Sequence, residues 1–400
     1  MSSNTHLFTS EWVSPGHSDK LLDSIAEAIV DYAIDADPKS RVAVDGVVKN
    51  NRLILAGEIT CPVEIPFEKI VKDTIKNIGY TPDKVPGFNY ENVLVETIFT
   101  MQSPDINQGV DQENGSSLGA GDQGIMYGGA INESPDFTPH SYFLAKEIGC
   151  KLYNNRYEAD WMKPDIKTQV TIKYEDDTPV EVVDIVCAVS HKDTISQEEI
   201  KNYVLSLTAE FISGYCFEHA LAFDNINWHI NTTGKFVICG PESDSGEVGR
   251  KIVVDQAGAM NPVGGGNLNG KCPSKVDRTA VYQARRAAKW LVANRVCDKC
   301  DIQVSYSIGE SKPISVYINT YGTNHRSTNE INKAVNALFS FSPAQMIVDL
   351  QLCAKNRPFR YEYCGMYGHI GESPAFGDIR TWEEIPTIDF DEALLIANSN

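Results

Sequence analysis

Two strand-like runs, residues 41–48 and Arg52–Thr60, are separated only by Lys49-Asn50-Asn51. So short a connection joins antiparallel neighbours, because a parallel crossover takes roughly a dozen residues or more. The constraint recurs along the chain. Residues 169–174 and 180–191 alternate in polarity around Glu175-Asp176-Asp177-Thr178-Pro179. Ile302, Val304, Tyr306 and Ile308 alternate ahead of a partner run, Ser315–Asn319. Elsewhere the spacing is helical. Leu22, Ile25, Ile29 and Tyr32 follow Asp19, with Ser18 as the expected cap, and residues 66–78 end at Gly79. Gln197–Glu218 reads as a helix, and Asp277 as the cap of another that turns Ala280, Val281, Ala284, Ala288 and Leu291 inward. Residues 235–239 and 250–255 read as short buried strands. Hairpins and helices without a β-α-β-α rhythm predict an α+β chain with mostly antiparallel or mixed sheets.

A length of 400 residues exceeds one ordinary core and predicts two or three domains. No apolar run approaches the roughly 18 residues that would span a bilayer. The first twelve residues lack the basic-then-apolar pattern of a secretory signal, so a cytoplasmic chain is expected. The cysteines are scattered and read as free thiols, with Cys297 and Cys300 in a surface turn. A formal charge of −19 argues against nucleic acid and anionic membrane as partners. A polyanionic ligand would need a local group of cations, and Lys271, Lys275, Arg278, Arg285, Arg286, Lys289, Arg295 and Lys299 supply one against Asp277 and Asp298. Arg285, Arg286 and Lys289 read as a solvated helix face. Lys271 and Lys275 stand in a Gly/Pro loop, where a ligand role is the better expectation.

Residues 102–130 are polar and glycine-rich and read as a long functional loop. Within them, Gly119-Ala120-Gly121-Asp122-Gln123-Gly124 matches a dinucleotide-binding pattern, but no buried strand precedes it and Gly128-Gly129 interrupts the stretch after it, where a helix is required. Gly265-Gly266-Asn267-Leu268-Asn269-Gly270-Lys271 matches a P-loop in part. Cys272 stands where a Mg²⁺-binding hydroxyl belongs, and Pro273 where the helix should start. The result is a phosphate-suited loop outside a P-loop fold.

More specific are His6-Leu7-Phe8-Thr9-Ser10-Glu11, Gly16-His17-Ser18-Asp19-Lys20, Gly57-Glu58-Ile59-Thr60 and Gln102-Ser103-Pro104-Asp105-Ile106-Asn107-Gln108-Gly109-Val110. After the glycine hexapeptide come Thr233-Gly234-Lys235-Phe236-Val237-Ile238, Gly249-Arg250-Lys251-Ile252, Lys275-Val276-Asp277-Arg278 and Gln303-Val304-Ser305-Tyr306. In this order the segments resemble the S-adenosylmethionine synthetase (methionine adenosyltransferase) family over residues 6–377. The resemblance implies three similarly built α/β domains around a pseudo-threefold axis, at 5–103, 117–236 and 238–378. It implies a homodimer with active sites between subunits, often paired into a tetramer. ATP and L-methionine would be the substrates, with two Mg²⁺ per site and K⁺ as cofactors. Methionine sulfur would attack C5′ of ATP and expel the triphosphate, which is then hydrolysed to diphosphate and phosphate. A catalytically weak nucleotide-binding homologue is the alternative.

Methionine sulfur has no proton to lose, so this displacement needs alignment and cations at the leaving oxygen rather than a general base. By resemblance, His17 stands at the bridge between ribose and triphosphate. Lys167, Arg250, Lys251 and Lys271 clamp the triphosphate, and Asp165, Lys235 and Asn267 also contact the nucleotide. Phe236 stacks on adenine, Ile308 packs beside it and Asp244 holds the ribose next to methionine. Glu58 and Gln102 take the amino end of methionine, Lys275 takes its carboxylate, and Asp122 lies near the developing sulfonium. Asp19 and Asp277 correspond to Mg²⁺ carboxylates, and Asp45 stands where the family has a K⁺-binding glutamate. The loop beginning at Gln102 resembles the family's mobile gate.

Several positions depart from the family pattern. Pro15 replaces an acidic residue and Ser18 a proline. The family sequence Ala-Phe-x-x-Lys-Asp reads Asn267-Leu268-Asn269-Gly270-Lys271-Cys272, without the ring and the carboxylate. Altered nucleotide affinity or analogue tolerance is the expectation.

Overall fold

A computed structural model describes residues 4–101 and 118–399. Its strands are β1 (Thr5–Val13), β2 (Arg41–Lys49), β3 (Arg52–Thr60), β4 (Leu94–Thr100), β5 (Gly124–Ile131), β6 (Met162–Glu175), β7 (Thr178–His191), β8 (Asn227–Ile230), β9 (Gly246–Glu247), β10 (Lys299–Tyr306) and β11 (Ser315–Asn319). They form three sheets, ordered β4-β3-β2-β9, β1-β6-β7-β8 and β11-β10-β5. All three predicted hairpins are present and antiparallel. The β2–β3 turn places Asn50 at a φ of 52°, a left-handed conformation that asparagine tolerates better than most residues. β3–β4 and β7–β8 are parallel, so the sheets are mixed. The chain is thus an α+β fold of three similar units. Each sheet also takes a strand from outside its own stretch of chain. β1 pairs with β6, β5 with β10 and β9 with β2, which closes a three-way exchange.

The helices are α1 (Ser18–Ala36), α2 (Phe67–Ile78), α3 (His140–Asn154), α4 (Gln197–Glu218), α5 (Ile252–Asp255), α6 (Val276–Ala293), α7 (Thr328–Leu338), α8 (Pro343–Asp349), α9 (Tyr361–Tyr367) and α10 (Phe390–Ser399). α1 is buried nearly all round, as a central core helix is. Besides Leu21, Leu22, Ile25 and Ile29 it buries Lys20, Asp23, Glu27 and Asp31.

Several expectations need correction. His17, not Ser18, caps α1, its Nδ1 accepting the Asp19 N–H at 3.1 Å, while the Ser18 hydroxyl donates to the Asp244 carbonyl at 3.0 Å. Lys275 caps α6, and Asp277 lies in its first turn. Residues 235–239 are not a strand. Backbone to backbone they meet β7 through one bond, His191 N–H to the Phe236 carbonyl, while the Phe236 N–H goes to the His191 ring and the Cys239 thiol meets Ser190. Residues 250–255 turn into the short α5 because the Asp255 N–H returns to the Lys251 carbonyl at 2.9 Å.

Of residues 102–130, those from 124 on belong to strand β5 rather than to a loop, and its glycines are a packing requirement. A Cβ on Gly128 would lie 2.1 Å from the backbone nitrogen of Arg285, so α6 can approach only a bare strand. Arg285 and Lys289 are buried rather than solvated, because both reach Glu383, at 2.9 and 2.8 Å, and Arg286 is half-buried. Cys297 and Cys300 are buried too and form no surface turn, in keeping with the apolar character of an uncharged thiol.

Between β1–β6 and α4, His140 donates or accepts through Nδ1 with the Tyr215 hydroxyl at 2.6 Å, and its ring lies 5.0 Å from that of His219. Burial, then His219, lowers the His140 pKa to about 3. The folded state therefore binds fewer protons than the unfolded state between this value and the ordinary 6.5. Stability that is complete above the unfolded pKa is lost as pH falls, by up to about 1.4 kcal/mol per unit from this group. Urea titrations from pH 6.5 to 4.5 should give a shallower loss for His140→Gln than for the wild type. Equal slopes would remove His140 as a source.

Candidate active site

The N-terminus of α1 gathers the first group of residues. Asp19 is fully buried, and its Oδ1 accepts the Glu247 N–H at 2.9 Å and faces Arg250 Nε at 3.0 Å, while Oδ2 takes Lys251 Nζ at 2.6 Å. Burial works to raise the Asp19 carboxyl, but the Lys251 hydrogen bond and the Glu247 amide outweigh it and hold the pKa below its ordinary value. His17 is drawn down to about 3, first by burial and then by Lys167, Lys251 and Arg250. It is therefore neutral near pH 7. With Nδ1 accepting from Asp19, its proton is on Nε2.

Local sequence explains how these groups meet. Lys167 on β6 pairs opposite Val13, the last residue of β1, and the chain then turns directly into His17. Gly16 makes the turn against Pro164, whose carbonyl oxygen would lie 2.1 Å from any Cβ. Asp165 accepts the Gly240 N–H at 2.8 Å. Burial raises it to about 6, opposed by Lys167 and reinforced by Asp244 and Asp19. His17, Asp19, Asp165, Lys167, Asp244, Arg250 and Lys251 thus share one basin.

A second group gathers beside β2. Lys271 bridges Ala43, with the Val44 N–H on the Gly270 carbonyl and the Cys272 N–H on the Val42 carbonyl. Its ammonium meets Asp277 at 2.6 Å. Glu58 pairs with Ala43 from the other side, so Glu58, Ala43 and Lys271 form a row on one sheet face, with Asp45 two residues along. Strand spacing sets the Glu58 and Lys271 backbones about 10 Å apart. Gly121, next to the exposed Asp122, rests on Ser274 and Lys275, and Gly266 rests on Asp277. The Asn267 side chain packs on Gly249, reaching toward the first group. On the same edge of β2, Glu247 pairs with Val47 and Lys271 with Ala43, which places the two groups about 14 Å apart along the strand.

The remaining candidates are less tied to either group. Phe236 is half-buried four residues before Gly240, and Lys235 is exposed and paired with Asp193 at 2.6 Å. Ile308 lies past the end of β10 and is 50% exposed, so it is not a core residue. Gln102 and the gate segment lie outside the described residues. Leu268 and Cys272 are fully buried, with Cys272 Sγ 3.2 Å from the Ser274 hydroxyl. These two departures from the family pattern therefore point into the core, while Asn267 packs on Gly249, Asp45 is exposed, and Asp277 orients Lys271.

Sequence reading missed a buried polar layer beneath both groups, formed by Lys20, Asp23, Glu27, Asp255, Asn269 and His369. The signal was present in α1, where Lys20, Asp23, Glu27 and Asp31 recur every three to four residues. Such a stripe ordinarily marks a solvated face.

The donors suit Mg²⁺, which takes one or two protein carboxylates and completes its shell with phosphate and water. Asp19 and Asp277 each offer hard oxygens already paired with lysine. Among the described residues no cluster of three or more His, Cys, Asp or Glu could hold a metal by itself. No described helix is long and apolar enough to cross a membrane.

Comparison with known proteins agrees along the whole chain. Residues 5–104 match the N-terminal domain of S-adenosylmethionine synthetase, 117–236 its central domain and 238–384 its C-terminal domain. The S-adenosylmethionine synthase of Helicobacter pylori strain J99 is 41% identical over 389 residues, covering 96% of this chain and 97% of its own length. That of Sulfurovum sp. strain NBC37-1 is 41% identical over 395 residues, covering 98% of this chain and 99% of its own length. With all three domains matched and identity this high over nearly its full length, the chain belongs to the S-adenosylmethionine synthetase family.

Proposed function

We propose that the chain joins ATP to L-methionine, releasing S-adenosylmethionine, phosphate and diphosphate, through the residues gathered in its two groups. The observation that carries this is the basin where Lys167, Arg250 and Lys251 converge on a neutral His17 beside Asp19. The sulfur displaces triphosphate from C5′ in line. His17, with its proton on Nε2, donates to the departing oxygen, and the three cations take up the charge. Arg250 suits bidentate contact with phosphate, the lysines point-charge contact. Asp165, Lys235, Phe236, Asp244, Asn267 and Ile308 make up the rest of the nucleotide site. Glu58, Gln102, Asp122, Asp244 and Lys275 hold methionine. Asp19 and Asp277 would hold Mg²⁺, which would supply charge neutralisation at phosphate oxygens, and Asp45 would hold K⁺.

The active unit is a homodimer, or a pair of them, with domains at 5–103, 117–236 and 238–378. The outer face of the β4-β3-β2-β9 sheet supports this. It exposes Val47, Leu94 and Ile98 together with Glu58 and Asp45, a half-apolar face of the kind a second subunit covers. A partner there would bring the Lys271–Asp277 group of one chain to the His17–Asp19 group of the other. Free cysteines, eight of ten buried, support a reducing cytoplasm.

Chromatography of products from ATP, methionine, Mg²⁺ and K⁺ tests the reading. S-adenosylmethionine with both phosphate and diphosphate is expected, chelation of Mg²⁺ should abolish it, and omission of K⁺ should slow it. Phosphate release that ignores methionine, with no adenosylated product, would overturn it.

A further inference from the structure

Beneath the two groups runs a series of buried hydrogen bonds whose direction can be assigned link by link. Arg278 Nε donates to the Lys271 carbonyl at 2.7 Å, and its Nη1 donates to the Tyr282 oxygen at 3.0 Å. The Tyr282 hydroxyl lies 2.6 Å from His369 Nδ1, and His369 Nε2 lies 2.8 Å from Asn269 Oδ1. Asn269 Nδ2 donates to Asp255 Oδ2 at 2.7 Å, which leaves Asn269 Oδ1 as acceptor. His369 therefore carries its proton on Nε2, and Tyr282 donates to Nδ1. On the far side Lys20 donates to Asp255 Oδ1 at 2.5 Å and pairs with Asp23 Oδ2 at 3.1 Å, and Asp23 Oδ1 accepts the Gly249 N–H at 2.8 Å.

Every side chain in this series is at least nine-tenths buried. Its two ends are main-chain groups of the segments that carry the site cations. One is the carbonyl of Lys271, and the other is the amide immediately before Arg250. Asn269 occupies the middle and ties the glycine-rich loop to α5 and to His369 at once. Its backbone and side chain also lock to Asn267, with the Asn269 N–H on Asn267 Oδ1 and Asn267 Nδ2 on the Asn269 carbonyl, each at 2.9 Å. These side chains are closed off from solvent, so removing one takes a partner from buried groups on both sides.

We infer that Asn269 is a positioning residue that fixes the place of the Lys271 loop, by closing a continuous hydrogen-bond chain from that loop to the turn before Arg250. It touches no substrate. It acts through the lysine two residues on, where a displacement of about 1 Å at a charge-stabilising group is enough to slow a reaction about 10²-fold. The inference rests on the transferase reading above.

The test uses the full chain and two variants, Asn269→Ala and Tyr282→Phe, the second removing one oxygen from the middle of the series. For Asn269→Ala, kcat for S-adenosylmethionine formation should fall at least 10-fold with KM for methionine within 2-fold. For Tyr282→Phe it should fall at least 5-fold. In a Lys271→Ala background the Asn269→Ala loss should shrink to under 2-fold, because the lysine through which it acts is gone. A purely structural role would multiply through that background unchanged, and such a result overturns the inference. So do folded variants with wild-type kcat. If Asn269→Ala does not fold, Tyr282→Phe decides on the same kcat criterion. A wild type that forms no S-adenosylmethionine would overturn the transferase reading itself, an outcome distinct from active variants beside an active wild type.

Discussion

Lys271→Ala should lower kcat for S-adenosylmethionine formation by about 10²–10³-fold, the usual loss when one preorganised donor is removed from a developing anion. The lysine is held at both ends. Its backbone extends the β2 edge through the Val44 and Cys272 bonds, and its ammonium rests on Asp277 at 2.6 Å. In the proposed site an incoming triphosphate would meet a cation already placed, with little ordering left to do. KM for ATP should rise far less than kcat falls, since the charge that the lysine answers grows as the C5′–oxygen bond breaks. Steady-state kinetics on protein of unchanged melting temperature would read this. A kcat within about 3-fold of the wild type would place Lys271 outside the reacting region.

Glu383→Ala should destabilise the fold by about 3–5 kcal/mol, the range for leaving buried charges without their partner. Four donors from three residues depend on this carboxylate, Arg285 Nε among them at 3.0 Å. Arg285 Nη2 reaches it at 2.9 Å, Lys289 at 2.8 Å and the Gly371 N–H at 2.9 Å. Burial alone would raise the Glu383 carboxyl, but Arg285 and then Lys289 hold it well below the carboxylate range. Replacing it strands two cations under α6, directly over the glycines of β5. Urea and thermal unfolding should show the loss, while the kcat of protein that remains folded stays near wild type. A change under about 1 kcal/mol would mean that water reaches Arg285 and Lys289.

Legibility in the sequence divides along physical lines. The β2–β3 connection is so short that geometry leaves one solution, and the helix over Gln197–Glu218 carries its own capping box at Ser196 and Glu199. Local chemistry settled both. Residues 235–239 and 250–255 look like strands by composition, yet a strand exists only where a neighbour offers a ladder, and local sequence does not reveal that neighbour. Charge was misread for a related reason. Arg285 and Lys289 read as a solvated helix face and the stripe of Lys20 and Glu27 was passed over, while burial was decided by partners up to 251 residues away, as Arg278 is from Glu27. The basin at His17 was legible through its motifs. Its support from Asn269 was not, because an asparagine in a glycine-rich loop gives no sign of its buried partners.

The three-way strand exchange has a consequence for how the molecule is made. A chain leaving the ribosome presents β1 long before β6, so residues 5–13 stand without the partners at residues 167–175 until those emerge. The edge of β2 waits still longer, for Gly246 and Glu247, and β5 waits for β10. None of the three sheets can be completed by the segment that begins it, so early pieces carry unsatisfied edges that invite pairing with other nascent chains. Long-range pairing of this kind is slow, since distant ends must meet before any contact rewards them. Assembly should accordingly come late and nearly all at once, and an incomplete translation product should be a substrate for chaperones or proteases rather than a working fragment.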